Sequence, residues 1–220
     1  MKFFLDSAKI NEIDYAINNW HIEGITTNPR HIMNSGITRG EFIKEIKKLV
    51  SGTSITVSVE VNPHLETKND ILREAKILAA ESENFVIKVP AFEQGLNAVY
   101  DLNQLGIKTN VTLVFNAVQA IQASKMGAYY ISPFVGWREE RGEMNINFVS
   151  DIVKIIKNYG FKTEVLIAAI RTAKQITEAA IAGADIVTAG FDVYKTAFEN
   201  PFTDMGLKIF GDSWDKTKSD

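Results

Sequence analysis

The sequence predicts a single α/β domain, a closed (β/α)8 TIM barrel with an extra C-terminal helix. Three observations carry that expectation. Eight short β-rich runs alternate with longer segments of helical periodicity along the 220 residues. The runs follow one another about every 25 residues, the minimum for a strand, a helix and two short loops. They are apolar almost throughout, as strands covered on both faces are. An open doubly wound sheet is the alternative. It usually carries a glycine-rich phosphate loop after its first strand, whereas here that strand ends in DSAK.

In chain order, KFFLD (2–6) is the first strand, and Asp6 is a fair N-cap for a helix beginning in SAKINEI. IEGITTN (22–28) is the second. KEIKK (44–48) alternates lysine with acid and reads as a solvated helix face before the third strand, SITVSVE (54–60). FVIKVP (85–90) is the fourth, with a lysine inside an apolar run. KTNVTLV (108–114) and YYISPFV (129–135) are the fifth and sixth. Between them, apolar residues of AVQAIQASKMG (117–127) recur at three and four, and Gly127 can end that helix. KTEVLIAA (162–169) and ADIVTAG (184–190) complete the eight, separated by TAKQITEAAIAGA (172–184) with its own glycine stop. PFTDMGLKIFGDSWDK (201–216) has no strand after it. The domain is therefore expected to span 1–220, with the barrel over about 1–199 and a terminal helix over about 200–218.

Composition narrows the function. With 45% hydrophobic and 23% charged residues the chain is ordinary globular protein. It has no cysteine, which excludes disulfides, thiolate nucleophiles and cysteine-ligated zinc. A net charge of −3 gives no general attraction to nucleic acid or to an anionic membrane. MKFFLDSAK holds a run of three apolar residues between Lys2 and Asp6, where a secretory signal needs about 7–15. A cytoplasmic protein is expected.

In a parallel barrel the chemistry lies at the carboxyl ends of the strands. Those ends carry Asp6, Thr26, Asn28, Glu60, Lys88, Asn110, Thr112, Ser132 and Phe134. Period-two alternation puts Val86 with Lys88, Thr26 with Asn28, and Asn110 with Thr112 on common faces, which suits inward placement. Lys88 reads two ways. It is either a lysine snorkelling to water or a desolvated amine able to attack a carbonyl and form a Schiff base. Asp6 is a helix cap, an acid–base group, or both. Glu60 and Thr112 are either a structural hydrogen-bonded pair or a relay holding water near Lys88. His21, His31 and His64 have no metal-ligand spacing, and only His64 with Glu60 is worth weighing as a ligand pair. No metal and no cofactor is expected.

The runs FLDSA (4–8), GITTNPRHI (24–32), VSVEV (57–61), VIKVP (86–90), TNVTLVF (109–115), SPFVG (132–136) and AAIR (168–171) resemble, in order and over nearly the whole chain, the short transaldolases. That group includes the fructose-6-phosphate aldolases. The resemblance implies a metal-free class I enzyme in which Lys88 forms an imine with a ketose C2 carbonyl. Asp6 would then take the C4 hydroxyl proton as C3–C4 breaks. It implies that Glu60 and Thr112 hold the water serving imine formation and hydrolysis, and that Thr26, Asn28, Asn110 and Ser132 bind substrate. Aldolase members have glutamine at the Glu60 position and tyrosine at the Phe134 position. Glutamate and phenylalanine here imply dihydroxyacetone transfer to an aldehyde acceptor rather than its release.

The expected anion site departs from the usual pattern. Trp137 stands where an arginine is usual, with Arg138 one place later; Ala169 replaces a serine; Arg171 remains; and Arg30 replaces a small residue. NPRHIMNSG and SPFVGW resemble the runs of transaldolases acting on 6-deoxy-6-sulfofructose. They imply that sugar as donor, 3-sulfolactaldehyde as product, and glyceraldehyde 3-phosphate or erythrose 4-phosphate as acceptor. The alternatives are a fructose 6-phosphate transaldolase or aldolase, a metal-dependent barrel aldolase or isomerase, and a non-catalytic sugar-binding barrel. The resemblance also implies a homo-oligomer, a pentamer or decamer, with Phe202, Phe210 and Trp214 as candidate contacts or as a cap on their own barrel.

Overall fold

The computed structural model describes residues 1–143 and 147–217. Eight parallel strands close in sequence order: β1 (Lys2–Asp6), β2 (Gly24–Thr26), β3 (Thr56–Glu60), β4 (Phe85–Pro90), β5 (Thr109–Val114), β6 (Tyr130–Pro133), β7 (Glu164–Ile170) and β8 (Ile186–Ala189). The predicted barrel is the one observed, with strand ends trimmed by a few residues.

Among the described residues the helices are α1 (Ile10–Trp20), α2 (Pro29–Ser35), α3 (Arg39–Val50), α4 (Lys68–Glu81), α5 (Glu93–Gln104), α6 (Ala117–Lys125), α7 (Gly136–Glu139), α8 (Phe148–Asn158), α9 (Ala173–Ala182), α10 (Phe191–Phe198) and α11 (Pro201–Trp214). The terminal helix thus ends before the expected limit, and residue 218 lies outside the described residues. None of the helices is long and apolar enough to cross a membrane.

Two packed layers result. Outward strand residues such as Ile25, Val57, Ile87, Val111 and Ile167 meet Ile13, Phe42, Ile46, Ile71 and Ile152 of the helices in one continuous core. Inward residues fill the lower barrel: Phe4, Val86, Tyr130, Leu166 and Ile186 form a separate plug. Phe4 and Tyr130 meet edge to face at 5.7 Å, a favoured aromatic geometry. Gly24 makes room for this, because a β-carbon there would be driven into the Phe4 ring. The plug lifts the polar residues to the upper end, where water and substrate enter.

Among the described residues, six of the helices start on a side-chain cap: α2, α3, α4, α6, α9 and α11. Thr38 and Glu41 form a reciprocal capping box on α3, and Asn116 with Gln119 forms another on α6. The expectation that Asp6 caps the first helix is corrected. The N-cap of α1 is Lys9, without a side-chain cap bond. Ser7 Oγ accepts from the Lys9 amide instead, at 3.1 Å. Asp6 is left free for the barrel mouth.

Candidate active site

A cavity of about 910 Å3 opens at the carboxyl ends of the strands, lined by Asp6, Thr26, Asn28, Arg30, Glu60, Lys88, Thr112, Ser132, Phe134, Trp137, Ala169 and Arg171 among others. That is ample for a sugar-sized ligand. Lys88 is 4% exposed, so the snorkelling alternative is excluded. Its Nζ donates to the Thr27 carbonyl at 2.9 Å and lies 3.5 Å from Glu60 Oε2. The carboxylate absent from its sequence neighbourhood is supplied by register, since β3 and β4 pair Glu60 with Lys88. Arg39 anchors the same strand end, donating from Nη2 to the Glu60 carbonyl at 2.8 Å. Burial pushes the Glu60 carboxyl above its usual range against the opposing pull of Lys88.

Asp6 faces the same cavity. Its Oδ1 accepts from Thr26 Oγ1 at 2.7 Å, and Thr26 in turn meets Thr188 Oγ1 at 2.7 Å. Its Oδ2 lies 3.1 Å from His31 Nε2. Burial disfavours ionisation, but the His31 hydrogen bond and charge, with help from Lys88 and Thr26, outweigh it. The Asp6 carboxyl is held below its usual range. His31 and Thr188 were missed in the sequence. His31 carries no spacing signal; only its place in the TTNPRH run, at the start of α2, could have pointed to it. Asn28 caps α2, its Oδ1 accepting from the His31 amide at 3.0 Å, and so sets where His31 begins.

On the β5–β6 side, Ser132 Oγ donates to Asn110 Oδ1 at 2.8 Å, and Asn110 Nδ2 donates to Ser58 Oγ at 3.0 Å. Asn110 is fully buried and absent from the cavity wall. It stands one layer below as the anchor of Ser132. Thr112 lines the cavity, and its buried Oγ1 has no hydrogen-bond partner among the described residues. The expected Glu60–Thr112 direct pair is therefore not formed. Phe134 packs at 5.4 Å from the Trp137 ring and 5.7 Å from Phe115.

The anion candidates divide. Trp137, Ala169 and Arg171 lie on the β6–β7 side, while Arg30 comes from the first turn of α2, after β2, across the barrel. Arg138 is corrected: it does not line the cavity. Its Nη1 donates to the Phe115 carbonyl at 2.8 Å and pairs with Glu143 at 2.8 Å, and its guanidinium covers the Phe148 ring. Arg141, which the sequence reading passed over, lines the cavity instead, with Nη1 on the Trp137 carbonyl at 3.2 Å. Arg171 Nε bonds Glu140 Oε1 at 3.0 Å.

Two strained residues shape this end. Leu113 and Ala169 have φ of 59° and 57°, left-handed values that side-chain-bearing residues rarely adopt. Both sit where strand register shifts, between Val111 and Val114 and between Ile167 and Ile170. The bulges break the alternation, so Thr112 with Leu113 and Ala168 with Ala169 all face the cavity.

The family model described as Transaldolase/Fructose-6-phosphate aldolase matches residues 3–218. A 6-deoxy-6-sulfo-D-fructose transaldolase of Priestia megaterium is 51% identical over 99% of this chain and 96% of its own. A probable transaldolase of Dictyoglomus turgidum is 44% identical over 98% of this chain and 99% of its own. Among solved structures, the 3-hexulose-6-phosphate synthase of Salmonella typhimurium superposes with a TM-score of 0.61 at 14% identity, covering 86% of this chain and 89% of that one. At that identity the likeness shows the barrel alone.

Proposed function

The chain belongs to the transaldolase/fructose-6-phosphate aldolase family, and on that premise we propose that Lys88 is the Schiff-base nucleophile of a dihydroxyacetone transfer. One observation carries the residue assignment: a lysine 4% exposed at the barrel mouth, 3.5 Å from a carboxylate whose own affinity for protons is raised. Passing one proton from the ammonium to Glu60 leaves a neutral amine and a neutral acid, the state needed to attack the ketose C2 carbonyl. Glu60 then returns the proton to the departing hydroxyl as water leaves. Thr112, which lines the same cavity and whose buried hydroxyl has no partner among the described residues, holds that water with Glu60.

Asp6 is ionised and fixed by two partners, ready to take the C4 hydroxyl proton. C3–C4 then breaks, its electrons flow into the protonated imine, and the aldehyde product departs. Phe134 offers no proton to the resulting enamine, so it survives until an aldehyde acceptor enters and the steps reverse. Thr26, Asn28 and Ser132 supply polar contacts for the sugar hydroxyls, with Asn110 acting through Ser132.

The donor we propose is 6-deoxy-6-sulfofructose, releasing 3-sulfolactaldehyde, with glyceraldehyde 3-phosphate or erythrose 4-phosphate as acceptor. Support comes from the 51% identical relative of that activity and from Trp137 and Ala169 on the wall beside Arg171. An apolar ring and a lost hydroxyl suit a carbon-bonded, weakly accepting sulfonate better than a phosphate ester. A fructose 6-phosphate transaldolase is the second reading, favoured by Arg30 and Arg141 as additional cations at the mouth.

Borohydride reduction with each ketose, followed by peptide mapping, tests the assignment. An adduct on Lys88 is expected, and larger turnover with the sulfosugar. An adduct elsewhere, or none, overturns the nucleophile; preference for fructose 6-phosphate overturns the sulfonate. A homo-oligomer, pentameric or decameric, acting in the cytoplasm completes the proposal. It is supported by the exposed apolar residues of α11, none of whose side chains is buried.

A further inference from the structure

The β6–β7 side of the cavity carries two guanidinium groups, Arg141 and Arg171, and a carboxylate among them, Glu140. Glu140 grips Arg171 from the side. Its Oε1 accepts a hydrogen bond from Arg171 Nε at 3.0 Å, leaving both terminal nitrogens of Arg171 for another acceptor. The loop beneath is fixed as well. The Arg171 amide donates to Gln175 Oε1 at 2.6 Å, and Gln175 Nε2 donates to Glu139 Oε2 at 2.6 Å. Gly136 packs so tightly on the Ala169 carbonyl that no β-carbon fits. Adjacent residues after β6, Glu139 and Glu140, are thus tied to the segment after β7, Glu140 through the Arg171 side chain and Glu139 through Gln175.

A site built only to hold the most negative ligand would leave out the acid. Here two positive charges and one negative leave a net charge of +1 on that wall. A sulfonate carries one negative charge and neutralises it. A phosphate monoester carries about 1.5 to 2 at neutral pH, and the excess meets the Glu140 carboxylate. Attraction and repulsion at one site discriminate between ligands of similar shape.

We propose that Glu140 is the charge-selecting residue of this site, setting Arg171 in place while disfavouring dianionic ketoses relative to monoanionic ones. The assignment rests on the reading of the cavity as a transaldolase site for a C6-anionic ketose. It concerns only how that site chooses its anion.

Two variants separate placement from charge. Glu140→Gln keeps an oxygen acceptor for Arg171 Nε and removes the charge; Glu140→Ala removes both. The measurement is kcat/KM for fructose 6-phosphate divided by that for 6-deoxy-6-sulfofructose. In Glu140→Gln the ratio is expected to rise about three- to tenfold, the effect of about half to one unit of excess charge at roughly 7 Å in an effective dielectric of about 35. The rise should shrink as salt is added, since exposed charges are screened. Glu140→Ala should raise the same ratio but also raise KM for both sugars, because Arg171 loses its side support. A ratio in Glu140→Gln within twofold of the parent overturns the proposal when both sugars still give the borohydride adduct on Lys88. If the parent protein gives no such adduct with either sugar, it is the Schiff-base reading that falls, and the charge selection with it.

Discussion

Lys88 is held where its ammonium has two partners, the Thr27 carbonyl and the Glu60 carboxylate, and almost no water. Removing the amine should therefore abolish chemistry without unfolding the barrel. Lys88→Met is expected to lose both turnover and borohydride adduct while keeping the parent's far-UV circular dichroism. Its thermal midpoint should fall, because removing one partner of a buried ion pair leaves the other uncompensated, with the loss limited by protonation of Glu60, whose affinity for protons is already raised by burial. Retained turnover in that variant would exclude the mechanism. Asp6 gives a second test. Its folded pKa is depressed, so the ionised carboxylate contributes stability above the unfolded aspartate range, and that contribution fades as pH falls through the folded value. His31→Phe removes the partner at 3.1 Å. The variant should lose about 1 kcal/mol in urea unfolding at pH 7. The gap from the parent should close as pH falls through the depressed folded value of Asp6 and the carboxyl protonates in both. The acidic limb of kcat/KM should move to higher pH with it. A gap independent of pH would mean that His31 does not act through Asp6.

At the scale of elements, the strand ends do more than display side chains. The bulges in β5 and β7 turn consecutive residues inward, and they do so through left-handed Leu113 and Ala169. Glycine takes that backbone without steric cost, whereas alanine there is strained by about 1–2 kcal/mol. Ala169→Gly should therefore leave the thermal midpoint unchanged or raise it slightly, the opposite of the usual penalty for glycine within a strand. Gly136→Ala should do the reverse. Its methyl would be driven into the Ala169 carbonyl, which cannot retreat without moving the β7 loop. A loss of about 1–3 kcal/mol is expected, together with a raised KM for anionic ketoses because Arg171 lies on the displaced segment. A stable Gly136→Ala protein with unchanged KM would show that the two loops move independently.

Across the whole molecule, the apolar surface is uneven. Phe202, Leu207, Phe210 and Trp214 of α11 are each at least two-thirds exposed and lie together on one helix. Their exposure shows that they do not cap their own barrel, and burying them is what the proposed contact with a second copy of the chain would do. Phe210→Glu is expected to move the sedimenting species toward monomer while the barrel keeps its thermal transition. An unchanged mass would remove α11 from any subunit contact. The strands were legible in the sequence because parallel strands covered on both faces must be apolar along their length. Lys88, Glu60 and Thr112 stood out as polar exceptions at strand ends. Their inward facing followed from alternation alone, since a period of two is local. What the sequence did not determine was which groups meet. Glu60 reaches Lys88 through strand register, His31 reaches Asp6 across two loops, and Arg141 rather than Arg138 lines the cavity because Arg138 is drawn to the Phe115 carbonyl and Glu143. The bulges that turn Ala169 inward, and the carboxylate of Glu140 against Arg171, likewise arise only when the barrel closes. Local backbone geometry fixes the face a side chain takes, but its charge and hydrogen-bond partners come from residues distant in the chain, and those are chosen by packing.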